Sequence, residues 1–352
     1  NIRAGEVSQS ADIVYVACDG YQQRAIERHA TRSWSLVLYQ PNDGPFREAN
    51  SGTLTITPSA ILGNITLTAS SSLFHSTQVG GLFQLTSNGQ TVTATATAQN
   101  TFTDPIRITG VGSGRYYTIT ITGLTATGST ATLQRSTDNS TWSDITNYTA
   151  DTALSQTDGL DNQILYYRVG VKTGNYVAGT IVMTLVYSAG SIDGVARITA
   201  YSSSTSVSAE VLVHLGGTSA ISIWAEGEWS DYRGWPSAVG FYEARLGWAG
   251  KAGIWFSQTD AFDSFLEFNT DGTPVGDSGP IARTIGSGPV DIINYIMPLQ
   301  RVVLGGQMSE FSVRSSALDE PLTPTNFNLK ACSTQGSSAV QPIKIDSHGM
   351  YV

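Results

Sequence analysis

The sequence is poor in charge, in cysteine and in histidine, and each scarcity excludes a class of function. Charged residues make up 13% of the 352 positions, with 19 Lys and Arg against 28 Asp and Glu. The formal net charge of −9 argues against a protein that grips nucleic-acid phosphates, because such binders need basic patches. It leaves room for a protein that DNA merely passes. The two cysteines, Cys18 and Cys332, stand at opposite ends of the chain with no CxxC spacing. Neither a disulfide framework nor a zinc site is expected, and both read as free buried thiols. His75 invites a metal reading, yet no second His, Cys or acidic partner stands at ligand spacing. No GxxxxGK[ST] cradle for phosphate occurs, no Ser/His/Asp ordering has a supporting context, and no cofactor is expected. No run of 18 apolar residues is present, so no membrane span is expected. The chain opens on Asn1 without an initiator Met or a secretory leader. It stops at Tyr351-Val352 with an apolar strand under way, and we expect it to be part of a longer polypeptide.

Thr, Ser, Gly and Val are abundant instead, and no long amphipathic helical pattern stands out. That composition predicts an all-β protein, and 352 residues suffice for two or three domains with ample cores. Residues 1–105 read as short strands and turns, among them Ile13-Val14-Tyr15-Val16 and Trp34-Ser35-Leu36-Val37-Leu38. Arg24, Arg28 and Arg32 there are interrupted by Glu27 and predict a solvated face or a subunit contact. Residues 106–189 alternate with period two, as in Tyr117, Ile119, Ile121 and Leu165, Tyr167, Val169. They carry five basic and five acidic residues within an acidic chain, which predicts an inserted immunoglobulin-like or fibronectin-like sandwich. Residues 190–352 read as further short strands joined by turns, a β-propeller-like body of four-stranded units.

The densest aromatic run lies from Gly234 to Phe265 and predicts a two-strand hairpin turning at Gly250 to Gly253. Its residues Trp235, Pro236, Phe241, Arg245, Leu246, Gly250, Trp255, Ser257, Asp260, Phe262 and Phe265 carry a resemblance. In order and spacing they resemble a segment of the tail nozzle proteins (tail tubular protein B, or hub proteins) of short-tailed bacteriophages and prophages. The run from Gln9 through Arg24-x-Ile26-x-Arg28 and Trp34 to Asp43-Gly44-Pro45-Phe46 is similar to the same family. The resemblance implies a structural, non-enzymatic component of the virion tail, assembled in the host cytoplasm. It implies a ring, hexameric in form, that docks under the head-to-tail connector, meets tail fibres or spikes, and conducts double-stranded DNA without binding it specifically.

Two further features bear on function. Between Lys251 and Arg283 no basic residue occurs, while Asp260, Asp263, Glu267, Asp271 and Asp277 do. Asp271 and Asp277 lie on a Gly/Pro-rich loop that must be exposed, and we expect them to line or gate the channel. The loop lacks the D-x-D-x-D-G order of a calcium site. Glu226 and Glu228, beside Trp224 and Trp229, are what a glycosidase would offer, but nothing visible separates their pKa values. A tail glycosidase and a receptor- or glycan-binding adhesin using the 106–189 module are the competing expectations.

Overall fold

The computed structural model describes residues 6–251, 253–269, 273–285, 292–316, 320–346 and 348–352. The fold is all-β, with 51% strand and 4% helix. The chain opens with an antiparallel meander whose strands pair in sequence order: β1 (Glu6–Ser10), β2 (Ile13–Cys18), β3 (Tyr21–Ala30) and β4 (Ser33–Leu38). Alternation splits its residues between two faces. Tyr15, Ala17 and Ala25 are buried against the rest of the protein, while Trp34, Leu36 and Leu38 face water on the other side.

Next come β5 (Ile56–Pro58), β6 (Asn64–Ala69) and β7 (Leu82–Ser87), and then a second module interrupts their sheet. That module comprises β8 (Gln90–Ala96), β9 (Thr101–Phe102), β10 (Ile106–Ile108), β11 (Tyr117–Thr122) and β12 (Ala131–Ser136). It continues with β13 (Ser143–Tyr148), β14 (Thr152–Gln156), β15 (Leu165–Val171) and β16 (Ile181–Tyr187). The interrupted sheet resumes with β17 (Ile192–Ser203), β18 (Ser206–Val213) and β19 (Ile223–Glu226), giving the order β19-β7-β17-β18-β6-β5. Reciprocal backbone hydrogen bonds of 2.9 Å join Ile56 to Ile221. The two margins of the sheet therefore meet, and the sheet curls around Leu67, Phe83, Leu85, Ile198 and Val207.

These pairings redraw the domain boundaries. The sandwich begins at Gln90 rather than at 106, because β8 pairs along its whole length with β16. Its sequence QTVTATA offers only Val92 and small alanines to the core, too weak a pattern to assign to a module by eye. Strands β17–β19 lie in one sheet with β5–β7, so residues 190–226 do not belong with the later body. The sandwich also departs from the immunoglobulin strand order. There the last strand lies beside the penultimate one; here β16 pairs with β11 and β8, and β10 takes the place beside β15.

The remainder returns to meanders. β20 (Ala238–Tyr242), β21 (Arg245–Gly250), β22 (Gly253–Phe256) and β23 (Ile281–Thr284) pair in order. So do β24 (Ile293–Pro298), β25 (Val302–Gly306), β26 (Glu310–Arg314) and β27 (Asn328–Ser333), before a small hairpin of β28 (Ile343–Ile345) and β29 (His348–Met350). Among the described residues the chain thus holds three four-stranded meanders, the unit from which propeller blades are made. They stack in series. Leu246, Trp248 and Trp255 of the second face the first, while Ala249, Ile254 and Phe256 face the third. No helix among the described residues is long and apolar enough to cross a membrane.

Candidate functional site

The aromatic run is the middle of this stack. It forms three strands rather than two. The unforeseen turn is Glu243-Ala244, two residues with φ of 46° and 57° between the paired Tyr242 and Arg245. Positive φ at both positions marks the hairpin turn usually built from Asn-Gly. Neither residue signals it, and no turn is marked there by glycine or asparagine. The turn at Gly250 to Gly253 is where it was expected.

Trp248, fully buried, lies beneath Tyr39 at 4.8 Å between ring centroids and edge-on to Tyr15 at 6.3 Å. Trp255 and Phe265 stand edge-on to Trp229, and Phe262 edge-on to Phe241. Burial of one such ring stabilises the fold by roughly 1.5–3 kcal/mol, and the offset and edge-to-face geometry adds to it. Trp235 donates its Nε1–H to Asp231 at 2.7 Å, and buried Pro236 packs on Gly250. The Asp260 N–H donates to Ala244 O at 2.8 Å, from a residue with φ of 60°. Of the signature residues, Leu246, Trp255 and Phe265, with Trp235, Phe241 and Phe262 packed against them, belong to the core between the first two meanders, whereas Pro236, Arg245, Gly250, Ser257 and Asp260 make the contacts given for them near or within the second. Tyr39, Asp43 and Trp229 complete that junction; Tyr39 and Asp43 reach it from the far end of the sequence, while Trp229 lies just ahead of the aromatic run. Tyr39 Oη donates to Phe262 O at 2.7 Å, and Asp43 accepts from Ser264 Oγ at 2.6 Å and Phe265 N at 2.9 Å. Burial raises the Asp43 pKa above the ordinary carboxylate value, with nearby Asp263 acting in the same direction.

Arg245 is the charged centre of the region. Its guanidinium is buried and donates to the carbonyls of Asp277 at 2.6 Å, Ser257 at 2.9 Å, Ser278 at 3.2 Å and also Gly279. Burial lowers its pKa while Glu243 opposes the shift. A planar fork of donors suits such a set of backbone acceptors. Ser257 Oγ accepts from the Leu246 N–H at 3.0 Å and donates to Gln258 O, closing the corner. The acidic stretch therefore rests on a buried cation that its own sequence does not contain. Asp277 is exposed on a short 3-10 turn, Gly276–Ser278, whose backbone Arg245 fixes. Asp260, Asp263 and Glu267 are exposed as well. Asp271 lies outside the described residues.

The glutamate pair separates into two structural roles. Glu226 is buried and accepts from Gln78 Nε2 at 2.6 Å and Arg233 Nε at 2.8 Å. Glu228 is held by Arg47 at 3.4 Å, and burial raises its pKa. Both Glu226 oxygens are engaged within the protein, leaving no free carboxylate pair. His75 stacks on Tyr232 at 4.2 Å. Among the described residues no group of three or more His, Cys, Asp or Glu could hold a metal ion. The thiols differ from expectation too: Cys332 is exposed and Cys18 half-buried, because β27 is a sheet edge and β2 turns one face to water.

The outer face of the sandwich carries one organised polar cluster. Gln134, Asp144 and Arg168 are cross-strand neighbours, with Arg168 Nε donating to Gln134 Oε1 at 2.9 Å and Gln134 Nε2 to Asp144 Oδ1 at 2.8 Å. The Arg168 guanidinium lies between Trp142, at 4.1 Å, and Phe102, at 4.4 Å. Comparison with known proteins adds no family to this geometry: no protein-family model and no curated protein matches the chain.

Proposed function

We propose that this chain is a structural component of a short-tailed phage tail, a nozzle ring that conducts the genome during ejection. The observation that carries the reading is the acidic turn at Asp277, held on a buried Arg245 in the middle one of a stack of blade-like meanders. Fixed negative charge facing a lumen repels DNA phosphates, so the genome neither sticks nor pauses on exit. The net charge of −9 agrees with it. The ring's partners would be further copies of itself, the head-to-tail connector and tail fibres or spikes. Asp271 and Asp277 are the lumen candidates. Phage carrying both as Lys should eject DNA more slowly or not at all while assembling normal tails; unchanged ejection would reject the gate assignment. Electron microscopy of the protein with its connector should show a sixfold ring, and its absence would reject the nozzle reading itself.

A second reading, a glycan-binding adhesin, is favoured by the sandwich's cluster of Gln134, Asp144, Arg168 and Trp142. An outward sheet face with a ring and several fixed polar groups is suited to a sugar. Glycan-array binding by the intact protein, abolished by Trp142→Ala, would support it.

A further inference from the structure

We propose that the outer face of the sandwich is a carboxylate clamp, on which the two Nη groups of Arg168 grip the carboxylate of an acidic sugar. The sugar rests on the glycan-binding reading of this face; the carboxylate rests on Arg168 itself.

Arg168 is a cation without a counter-charge. Among the described residues its one hydrogen bond runs from Nε to Gln134 Oε1 at 2.9 Å, and it makes no ion pair. Asp144, two strands away in the same row, is already engaged at both oxygens. Its Oδ1 accepts from Gln134 Nε2 at 2.8 Å and its Oδ2 from Lys172 Nζ at 2.5 Å. Burial meanwhile lowers the Arg168 pKa. A half-buried guanidinium has lost part of its water and gained no anion within the protein, a costly state unless something outside the chain supplies one.

The guanidinium is also held ready. Phe102 and Trp142 stack on it at 4.4 and 4.1 Å. Phe102 can lie there because Gly170, two residues along β15 and on the same face, has no side chain: a Cβ at that position would stand 2.2 Å from Phe102 Cδ1. With its faces stacked and Nε tied to Gln134, Arg168 keeps only Nη1 and Nη2 for a ligand. A fixed planar fork of this kind matches a carboxylate through two parallel hydrogen bonds. Charge favours a carboxylate over a phosphate. A phosphate carries nearly two charges and calls for a second cation, whereas Lys172 is neutralised by Asp144. The chain's net charge of −9 further disfavours polyanions. Trp142 and Phe102 beside the fork offer apolar walls to the C–H groups of a pyranose, so a sugar acid is the occupant rather than an acidic peptide.

Calorimetric titration of the full chain with sialyl-lactose, a glucuronic acid-terminated disaccharide, their methyl esters and lactose tests this. We expect the two acidic sugars to bind, and lactose and the esters to bind at least about tenfold more weakly, because each lacks the charge that the fork meets. Arg168→Lys keeps the charge and loses the fork, and should weaken the acidic sugars by a similar factor. A denaturation curve checks that this variant folds; the ester comparison is made on wild type and decides the matter even where the variant does not. Equal affinity for lactose and sialyl-lactose, or acid binding that survives Arg168→Lys in a folded variant, would overturn the clamp and leave a glycan-binding face. No binding of either acidic sugar would also overturn it, and neutral-glycan binding abolished by Trp142→Ala would then still uphold the adhesin reading. Arg168-dependent binding of an acidic peptide, with no sugar bound, would overturn the sugar and the adhesin reading together.

Discussion

The guanidinium of Arg245 reaches the main-chain carbonyl of Asp277 at 2.6 Å, across 32 residues of sequence. The acidic turn is therefore fixed from beneath by a strand of the second meander.

Replacing Arg245 with Met would remove the guanidinium donors from four buried or half-buried carbonyls, of which Ser278 O keeps the Thr259 N–H at 3.0 Å. Loss of charged hydrogen bonds of this kind costs roughly 3 kcal/mol or more. Arg245→Lys should recover only part of this, because a single ammonium cannot span acceptors spread over Ser257 and 277–279. Urea denaturation measures the cost. Hydrogen exchange at 276–280 should rise in the same order, Met above Lys above wild type.

Gly240 allows the second and third meanders to approach. A Cβ there would stand 2.9 Å from Ile296 Cγ2. Gly240→Ala should destabilise by about 1–3 kcal/mol through overpacking. In the Ile296→Ala background the same change should cost much less, a coupling that a double-mutant cycle would read directly.

Arg115 and Asp158 form a two-bond ion pair inside the sandwich, both bonds at 2.7 Å and both side chains buried. Burial pushes the Asp158 carboxyl upward, but Arg115, the Leu160 N–H and Tyr167 Oη together hold its pKa below the ordinary value. A carboxyl depressed in the folded state stabilises the fold above its unfolded pKa of about 3.9 and loses that contribution as pH falls toward the folded value. Sandwich stability should therefore decline below about pH 4. Asp158→Asn should remove that acid-side dependence and cost about 3–5 kcal/mol at neutral pH, because Arg115 is left buried without its partner. Denaturation at several pH values checks both.

Glu226 is engaged by Arg233 and Gln78. Glu226→Gln should lower stability by about 1–3 kcal/mol. Cell-wall glycans incubated with wild type or variant should release product at the same background rate. A hydrolysis rate that falls with this substitution would restore the glycosidase reading.

Much of the architecture was legible from alternation alone, because small β-sheets bury one set of side chains per strand. Trp248 and Trp255 were recognisable as core, as was the strand Tyr117–Thr122. Other features depend on partners that sequence does not announce. The Glu243-Ala244 turn lacks glycine and asparagine. Gln90–Ala96 reads as a generic threonine-rich strand until β16 is seen beside it. The long-range contacts that define the candidate site, Tyr39 to Phe262 and Asp43 to Ser264, span more than 200 residues. Nor could the charge pattern of 251–283 reveal that its counter-charge enters from Arg245.

The nesting of the sandwich within the curled sheet has a consequence for how such chains diversify. Ser87 and Ile192, which lead into and out of the sandwich, are cross-strand neighbours. Leaving and re-entering at one point, the module is topologically a side branch: its removal would leave two adjacent strand ends that a short turn could join. A lineage could lose, replace or elaborate this branch while the curled sheet keeps its register. Its outward surface is free to change, while the stacked meanders remain bound to a common geometry.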